Sequence, residues 1–510
     1  MESITKTTGR VLLFISLMLS SGLSSMAQGS GIGIFEAQSD VGTCLIKGST
    51  SYDPSTQEYT LTGAGENMWF GKDAFHFLWK QMKGDFILQF EFEFVGPAKN
   101  EHRKVGWMVR NELTEDSEHI CGTVHNDGLT SIQYRPEAES NTVEIVSPSK
   151  GPSIVQLERS GNRYILSTAQ RGGEFVKIEF TDSERFINDE AYVGIFLCSH
   201  EKDHAETAIM RNVRVTIPAA DHPGSYEDHI GGRLEIMDVE SGKRRMVYSS
   251  PRCIQAPNWT HDGKHLIYNC DGLLYTFNIE TAEIEQINTD FADNNNNDHV
   301  LSFDGQQLAI SHHSAEDNES SLIYTVPLNG GVPQKITDQG PSYLHGWSPD
   351  GKDLIFTGER DDDYDIYSIN IESKMETRLT HSPGLDDGPE YSPDGKYIYF
   401  NSVRSGEMQI WRMKPDGRDP ERITGDDLNN WFPHVSPDGK RMVYLTYGKD
   451  VNPGDHPWCR QVTIRLMNLE TREVKVLAHL YGGQGTINVP SWSPDGTKIA
   501  FVSYTTQIED

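Results

Sequence analysis

The sequence predicts an all-β protein: an N-terminal β-sandwich followed by a six-bladed β-propeller. Three observations predict it. The tetrapeptide Ser-Pro-Asp-Gly stands at 348–351, 392–395, 436–439 and 493–496, with degenerate copies at 260–263 and 302–305. Gly-to-Gly spacings are 42, 46, 44, 44 and 57, the period of a four-stranded blade. Upstream of these repeats, apolar and polar residues alternate between turn signals, and no long helical period is found.

The first element is a leader. Lys6 and Arg10 form a basic start, residues 11–19 a compact apolar run, and Ser25-Met26-Ala27 a small-residue cleavage signal. Residues 1–27 therefore read as a signal peptide cleaved near Ala27, which predicts a periplasmic or secreted protein. The apolar run is too short for a spanning helix, no Cys stands at the cleavage site, and no later stretch is apolar enough to insert into a membrane.

Residues 33–217 form the second element. Strand-like runs include Phe86-Ile87-Leu88-Gln89-Phe90-Glu91-Phe92, Tyr164-Ile165-Leu166 and the segment 191–197. Turn residues part them: Gly96-Pro97, Asn126-Asp127-Gly128, Ser160-Gly161-Asn162 and Arg171-Gly172-Gly173. This pattern predicts half-buried strands in two sheets. Residues 218–227, opening Pro-Ala-Ala-Asp-His-Pro-Gly-Ser, read as a linker.

The third element spans 228–510. In each Ser-Pro-Asp-Gly turn, Pro presets φ, Asp tolerates the next position and Gly supplies φ > 0, so the turn closes a tight hairpin. A second strand–turn–strand unit interleaves at 274–287, 323–336, 366–379, 410–423 and 464–477, with a sixth copy at 234–248 before the first turn. The region thus opens on an outer hairpin and finishes on an inner one. One blade is then completed from both ends, which leaves the ring no open edge.

Composition agrees. The 46 Gly and 24 Pro suit many tight turns. A formal charge of −30 disfavours nucleic acid and anionic membrane as partners. Six cysteines, three in each half, do not suggest a disulfide framework, but Cys253 and Cys270 flank a turn at similar offsets and are a candidate pair in an oxidising compartment.

The segment Gly346-Trp347-Ser348-Pro349-Asp350-Gly351 through Phe356, then Arg360 and Asp365-Ile366-Tyr367, resembles the TolB-type (PD40, WD40-like) repeat over about 228–510. The resemblance implies a six-bladed periplasmic propeller, and in the Tol system such a ring docks envelope proteins. TolB carries a small α/β domain in front, which this sequence lacks. Over roughly 40–217, Lys83-Gly84-Asp85-Phe86, 105–110 and 157–162 resemble concanavalin-like jelly rolls, which implies carbohydrate binding as a tendency of that fold.

Propeller geometry sorts the candidate site residues. The Asp-Gly turns lie on one face, and the connectors entering each first strand lie on the other. On this connector face stand His299, His345, Glu390, Trp431, His434 and Asn488, with His312, His313, Arg360, Arg404, Tyr447, His456 and Trp458 in neighbouring loops. His299, His345, Glu390, Trp431, His434, Asn488, His456 and Trp458 are the candidate ligand-binding set. The 57-residue spacing marks an insertion around 448–459 as a functional loop. His299, His345 and His434 are candidate ligands for Zn or Mn. Oligogalacturonate lyases, propellers with a His-rich metal site, supply that alternative.

Arg360 and Arg404 recur at one repeat position and read as structural. Asp361-Asp362-Asp363-Tyr364-Asp365 lacks the Gly and distal Glu of an EF-hand and reads as a solvated turn. Asn294–297 reads as a polar connector. His119 and His125 read as surface or core histidines. Trp69 and Trp79 are candidates for stacking on sugars, and Trp107 reads as core. No Gly-x-Ser-x-Gly, P-loop, His-Glu-x-x-His or Cys-x-x-Cys is present. The expectation is a binding module for a glycan or envelope protein. The alternatives are a metal-assisted polysaccharide lyase or hydrolase and a Tol-like scaffold.

Overall fold

The computed structural model describes residues 31–220 and 230–507. The leader at 1–27 and most of the linker lie outside these residues. Among the described residues no helix is long and apolar enough to cross a membrane.

The N-terminal part is two seven-stranded antiparallel sheets. One runs from the edge strand Ala37–Val41 through Phe75–Lys83, Glu190–Cys198 and Lys104–Arg110 to His119–His125 and beyond. The other centres on Phe86–Val95, flanked by Ile154–Ser160 and Glu201–Thr216. Alternation in sequence becomes two-sidedness in space. Leu88, Leu157 and Leu166 stand in register on three neighbouring strands, all fully buried. Residues of both sheets join one core around Trp107, whose indole donates to the Val155 carbonyl of the opposite sheet. Gly122 permits that approach: a Cβ there would lie 2.6 Å from the Leu166 side chain.

The C-terminal part is the expected ring. Blades one to five are four-stranded antiparallel sheets over 254–286, 295–335, 342–378, 386–422 and 429–482. Blade six joins Gly231–Asp238 and Arg244–Ser250 to the last strand, Lys498–Thr505, with a further bridge from Trp492 to Ile499. Leu234 thus pairs with Tyr248 on one side and Val502 on the other. Both ends of the region close the ring.

All six turns use the same device. The Ser or Thr hydroxyl donates to the Asp carboxylate two residues on, at 2.5–2.8 Å in Thr260–Asp262, Ser302–Asp304, Ser348–Asp350, Ser392–Asp394, Ser436–Asp438 and Ser493–Asp495. The closing glycines have φ between +67° and +71°, which an L side chain adopts only with strain.

One feature of the first strands decides what faces the channel. In blades one to five each first strand carries a bulge, with register shifts at 255/258, 295/299, 344/346, 387/390 and 431/434. Ala256, Gly388 and Phe432, each seven residues before its turn Gly, have positive φ. A bulge adds an unpaired residue and turns the strand. Residues on its two sides therefore leave in different directions.

All six cysteines are free. The candidate Cys253–Cys270 bridge is not formed. Ile254, not Cys253, stands opposite Cys270, so the two thiols are one residue out of register.

The two parts touch. Arg214 and Arg244 both pair with the buried Glu235, and Arg244 reaches Gln89 of the sandwich. Phe175 stacks on His479 with ring centres 3.7 Å apart. Arg465 pairs with Glu174 across the boundary and with Asp426 in its own ring.

Candidate functional site

A cavity of about 970 Å³ opens at the connector mouth of the propeller. Its wall is laid down by repetition. The residue eight before each turn Gly is Gln255, Asn297, Tyr343, Asp387, Trp431 and Asn488, and all but Trp431 line the cavity. In blades one to five the first-strand bulge lies at or beside this position. Asn295, Asn296 and Asp298 of blade two, His345 and Tyr364 of blade three, and His456 and Gln484 from the fifth-blade loops also line it.

The walls are hydrogen-bonded between blades. Asn297 donates to Gln255 at 2.9 Å, and Asn269 donates to the carbonyls of Asn295 and Asn296. Such bonds fix the amides and leave their remaining donors and acceptors to face a ligand.

At the centre lies Asp387. Its Oδ1 accepts from Thr357 at 2.6 Å and from the Gly388 amide at 2.7 Å, and His345 Nε2 stands 3.2 Å away. Burial opposes its charge, but the hydrogen bond and charge of His345 prevail and hold the carboxyl well below its usual range. Burial also opposes protonation of His345, yet Asp298 and Asp387 together raise it above the ordinary histidine value. Asp298 differs: burial and the nearby Asp387 outweigh His345, and its carboxyl is pushed up to about 6. The site therefore holds one fixed carboxylate, one protonatable carboxyl and one imidazole biased toward its cation.

The inserted loop at 448–459 forms one wall. Gly454, His456 and Gln484 line both this cavity and a second groove of about 1460 Å³ between the sandwich and the propeller. The groove also takes in Glu158, Arg159 and Lys177 from the sandwich and Trp458 from the loop.

Of the eight candidate binding residues, His345, Asn488 and His456 line the cavity. Trp458 lines the groove instead. Trp431 is fully buried, packed on Phe432 with its face met edge-on by His456. His434 and Glu390 lie five residues before their turn Gly, beyond the bulge, and point between blades. His434 Nδ1 meets Glu390 Oε2 at 2.6 Å and its Nε2 meets the Ile487 carbonyl, which leaves neither nitrogen for a metal. Glu390 also accepts from the Val435 amide. His299 is wholly buried with Nε2 at 3.3 Å from the Ile267 carbonyl, and burial lowers it to about 4.

The structure does not bring His299, His345 and His434 together as a Zn or Mn triad. Among the described residues one group of three His, Cys, Asp or Glu side chains places its ligand atoms within 4.8 Å of one another, and it lies in the sandwich. His345 lies six residues before its turn Gly and His434 five, adjacent repeat positions whose side chains leave opposite sides of a strand.

Other candidates fall into place. His313 lines the cavity. His312 packs against Phe291 and Tyr324, and Tyr447 is core. Arg360 pairs with Glu376 and Arg404 with Asp386, both within their blades. Asp365 and Asp363 face Arg378. The connector at 294–297 is the polar wall itself. Sequence reasoning missed Gln255, Asn297, Tyr343 and Asp387. The signal for them is the shared offset from the turn Gly, seen once the six copies are stacked.

In the sandwich, Trp107 is core and Trp79 is half-buried against Tyr192. His119 is buried close to Asp73, at 3.7 Å. His125 meets the rings of His102 and His200.

Comparison with known proteins agrees with the ring. The model of the TolB beta propeller domain family, PD40, matches residues 339–504. Over 272 residues the chain is 47% identical to an uncharacterized protein of Agrobacterium fabrum, covering 53% of this chain and 92% of that protein. A solved Agrobacterium tumefaciens structure described as a TolB candidate is also 47% identical, with a TM-score of 0.52 over 54% of this chain and 98% of the other. The Tol-Pal system protein TolB of Francisella tularensis is 26% identical over 167 residues, 32% of this chain and 36% of that protein.

Proposed function

Because the chain belongs to the TolB-like PD40 β-propeller family, we propose that its ring is a binding scaffold whose mouth holds a neutral oligosaccharide. The observation that carries this reading is the chemistry of the cavity wall. Amides dominate it: Asn269, Asn295, Asn296, Asn297, Asn488, Gln255 and Gln484. Tyr343, Tyr364 and Phe432 supply flat apolar faces, and Asp387 supplies a fixed acceptor. Hydroxyl-rich rings are recognised by this mixture of paired donors and acceptors with aromatic surface. The lining residues include no Lys or Arg, whereas Asp271, Asp298, Glu319 and Asp387 are acidic. An anionic polysaccharide, the substrate of the lyase alternative, would meet like charge there.

On this reading the protein is exported to the periplasm or beyond. The segment 33–217 is a concanavalin-like sandwich that lends the groove its second wall, and 228–510 is the ring. Envelope-protein docking in the Tol manner is the competing reading.

The test is isothermal titration with neutral and uronate-containing oligosaccharides, beside Asn297→Ala and Tyr343→Ala variants. Saturable binding of a neutral sugar that both variants weaken supports the proposal. Binding of uronates alone, or of an envelope protein with no sugar, overturns it.

A further inference from the structure

We propose that the sandwich carries a transition-metal site of the zinc class, built from His102, His125 and Asp127. One ligand atom from each lies within 4.8 Å of the other two, the spacing at which a single ion bridges its ligands. The side chains come from two neighbouring loops. His102 lies in the connection between strands Phe86–Val95 and Lys104–Arg110, His125 ends strand His119–His125, and Asp127 lies in the turn that follows.

The loops are already fixed around the group. The Asn126 amide donates to the Arg103 carbonyl at 2.9 Å and the Asp127 amide to the Glu101 carbonyl at 3.0 Å. Arg103 donates through Nε and Nη2 to Asn126 Oδ1 and pairs through Nη1 with the buried Glu206. Asp127 Oδ1 accepts from the Leu129 amide, and its Oδ2 stands 3.5 Å from His102 Nδ1.

A second, independent observation points to a ligand. His125 is nine-tenths buried, and its Nδ1 has no hydrogen-bond partner. His200, whose ring centre lies 5.7 Å from that of His102 and 6.2 Å from that of His125, likewise buries an unpartnered Nε2. Buried polar nitrogens without partners are rare and call for an occupant. Glu101 lies 3.8 Å from His102 and adds negative charge at the rim. Imidazole with one carboxylate selects zinc-class ions over calcium or magnesium, which prefer all-oxygen shells.

The test uses the mature chain, stripped with chelator and titrated with zinc chloride by calorimetry, with elemental mass spectrometry of the dialysed product. Variants are His102→Ala and Asp127→Asn, both at exposed positions, and a propeller control, His345→Ala/His456→Ala. The expected result is one zinc per chain, a zinc-dependent rise in Tm, and at least a tenfold loss of affinity in each sandwich variant but not in the control. Absence of stoichiometric zinc, uptake unchanged in the sandwich variants, loss confined to the propeller control, or equal binding of calcium would each overturn the proposal.

Discussion

The Nε2 of His456, on the inserted fifth-blade loop, stands 4.0 Å from the Oδ2 of Asp387 on the first strand of blade four. His345 approaches the other oxygen of the same carboxylate. Asp387 therefore links His345 of blade three to the wall formed by the inserted loop. Replacing it with Asn keeps the shape and removes the charge. We expect Asp387→Asn to weaken sugar binding by roughly 1–3 kcal/mol, the value of a charged hydrogen bond, and to lower the His345 pKa. Calorimetry and histidine NMR titration read the two effects. Asp387→Ala strands His345 in a buried site and should cost about 3–5 kcal/mol of stability.

Asp298 has the opposite sign. Its folded pKa is raised, so the native state binds a proton more tightly than the unfolded chain does. Its contribution to stability is present below the unfolded value and is lost as pH rises through about 6. The displacement from 3.8 to about 6 corresponds to roughly 3 kcal/mol. Asp298→Asn should therefore be more stable than the parent at pH 7.5 and no more stable at pH 4. Denaturant melts at the two pH values decide it.

The turns make a third case. Asp394 is held at about 2 by hydrogen bonds from Lys396, Ser392 and the Lys396 backbone, and Asp495 at about 2 by those from Ser493 and from the backbone and side chain of Thr497. Depressed folded values give stability that is present above the unfolded pKa and lost as pH falls through about 2. Thermal melts between pH 5 and 2 should steepen their decline below pH 4, and less so in Ser392→Ala. Gly395→Ala, forced into φ +67°, should lose about 1 kcal/mol at any pH.

His479 couples pH to the contact between the two parts. Burial lowers it to about 4, while its Nε2 lies 3.0 Å from the Gly173 carbonyl and its ring stacks on Phe175. Its stabilisation is full above pH 6.5 and falls as pH drops toward 4. Limited proteolysis at pH 5 should release the two parts faster than at pH 7.5. Phe175→Ala, which removes a stack worth about 1 kcal/mol, should show fast release at both.

How much of this was legible in the sequence follows from what repeats. The turn chemistry recurs in every blade, so blade count, ring closure and the insertion at 448–459 could be read from it. The bulges could not. A bulge is a shift between two strands, set by pairing and by a positive φ at residues as ordinary as Ala256 and Phe432. It changes which neighbour faces the channel, whereas the offset that separates His345, six residues before its turn Gly, from Glu390 and His434, five before theirs, is present in the sequence. The His102–His125–Asp127 group was hidden for a different reason: the first two are 23 positions apart, and only the sandwich fold brings them together.

The pairing of Leu234 with Val502 has a bearing on biogenesis. The sandwich has all its strands once residue 216 has emerged. The ring does not, because blade six awaits Lys498–Thr505. Throughout synthesis the first propeller strand presents an unpaired edge, with buried faces exposed to solvent and to other chains. The sandwich can form early and shield part of blade six through Arg214 and Glu235. Delivery of the last strand then acts as the latch, and a nascent chain stalled a dozen residues short should be a prime target for chaperones and proteases.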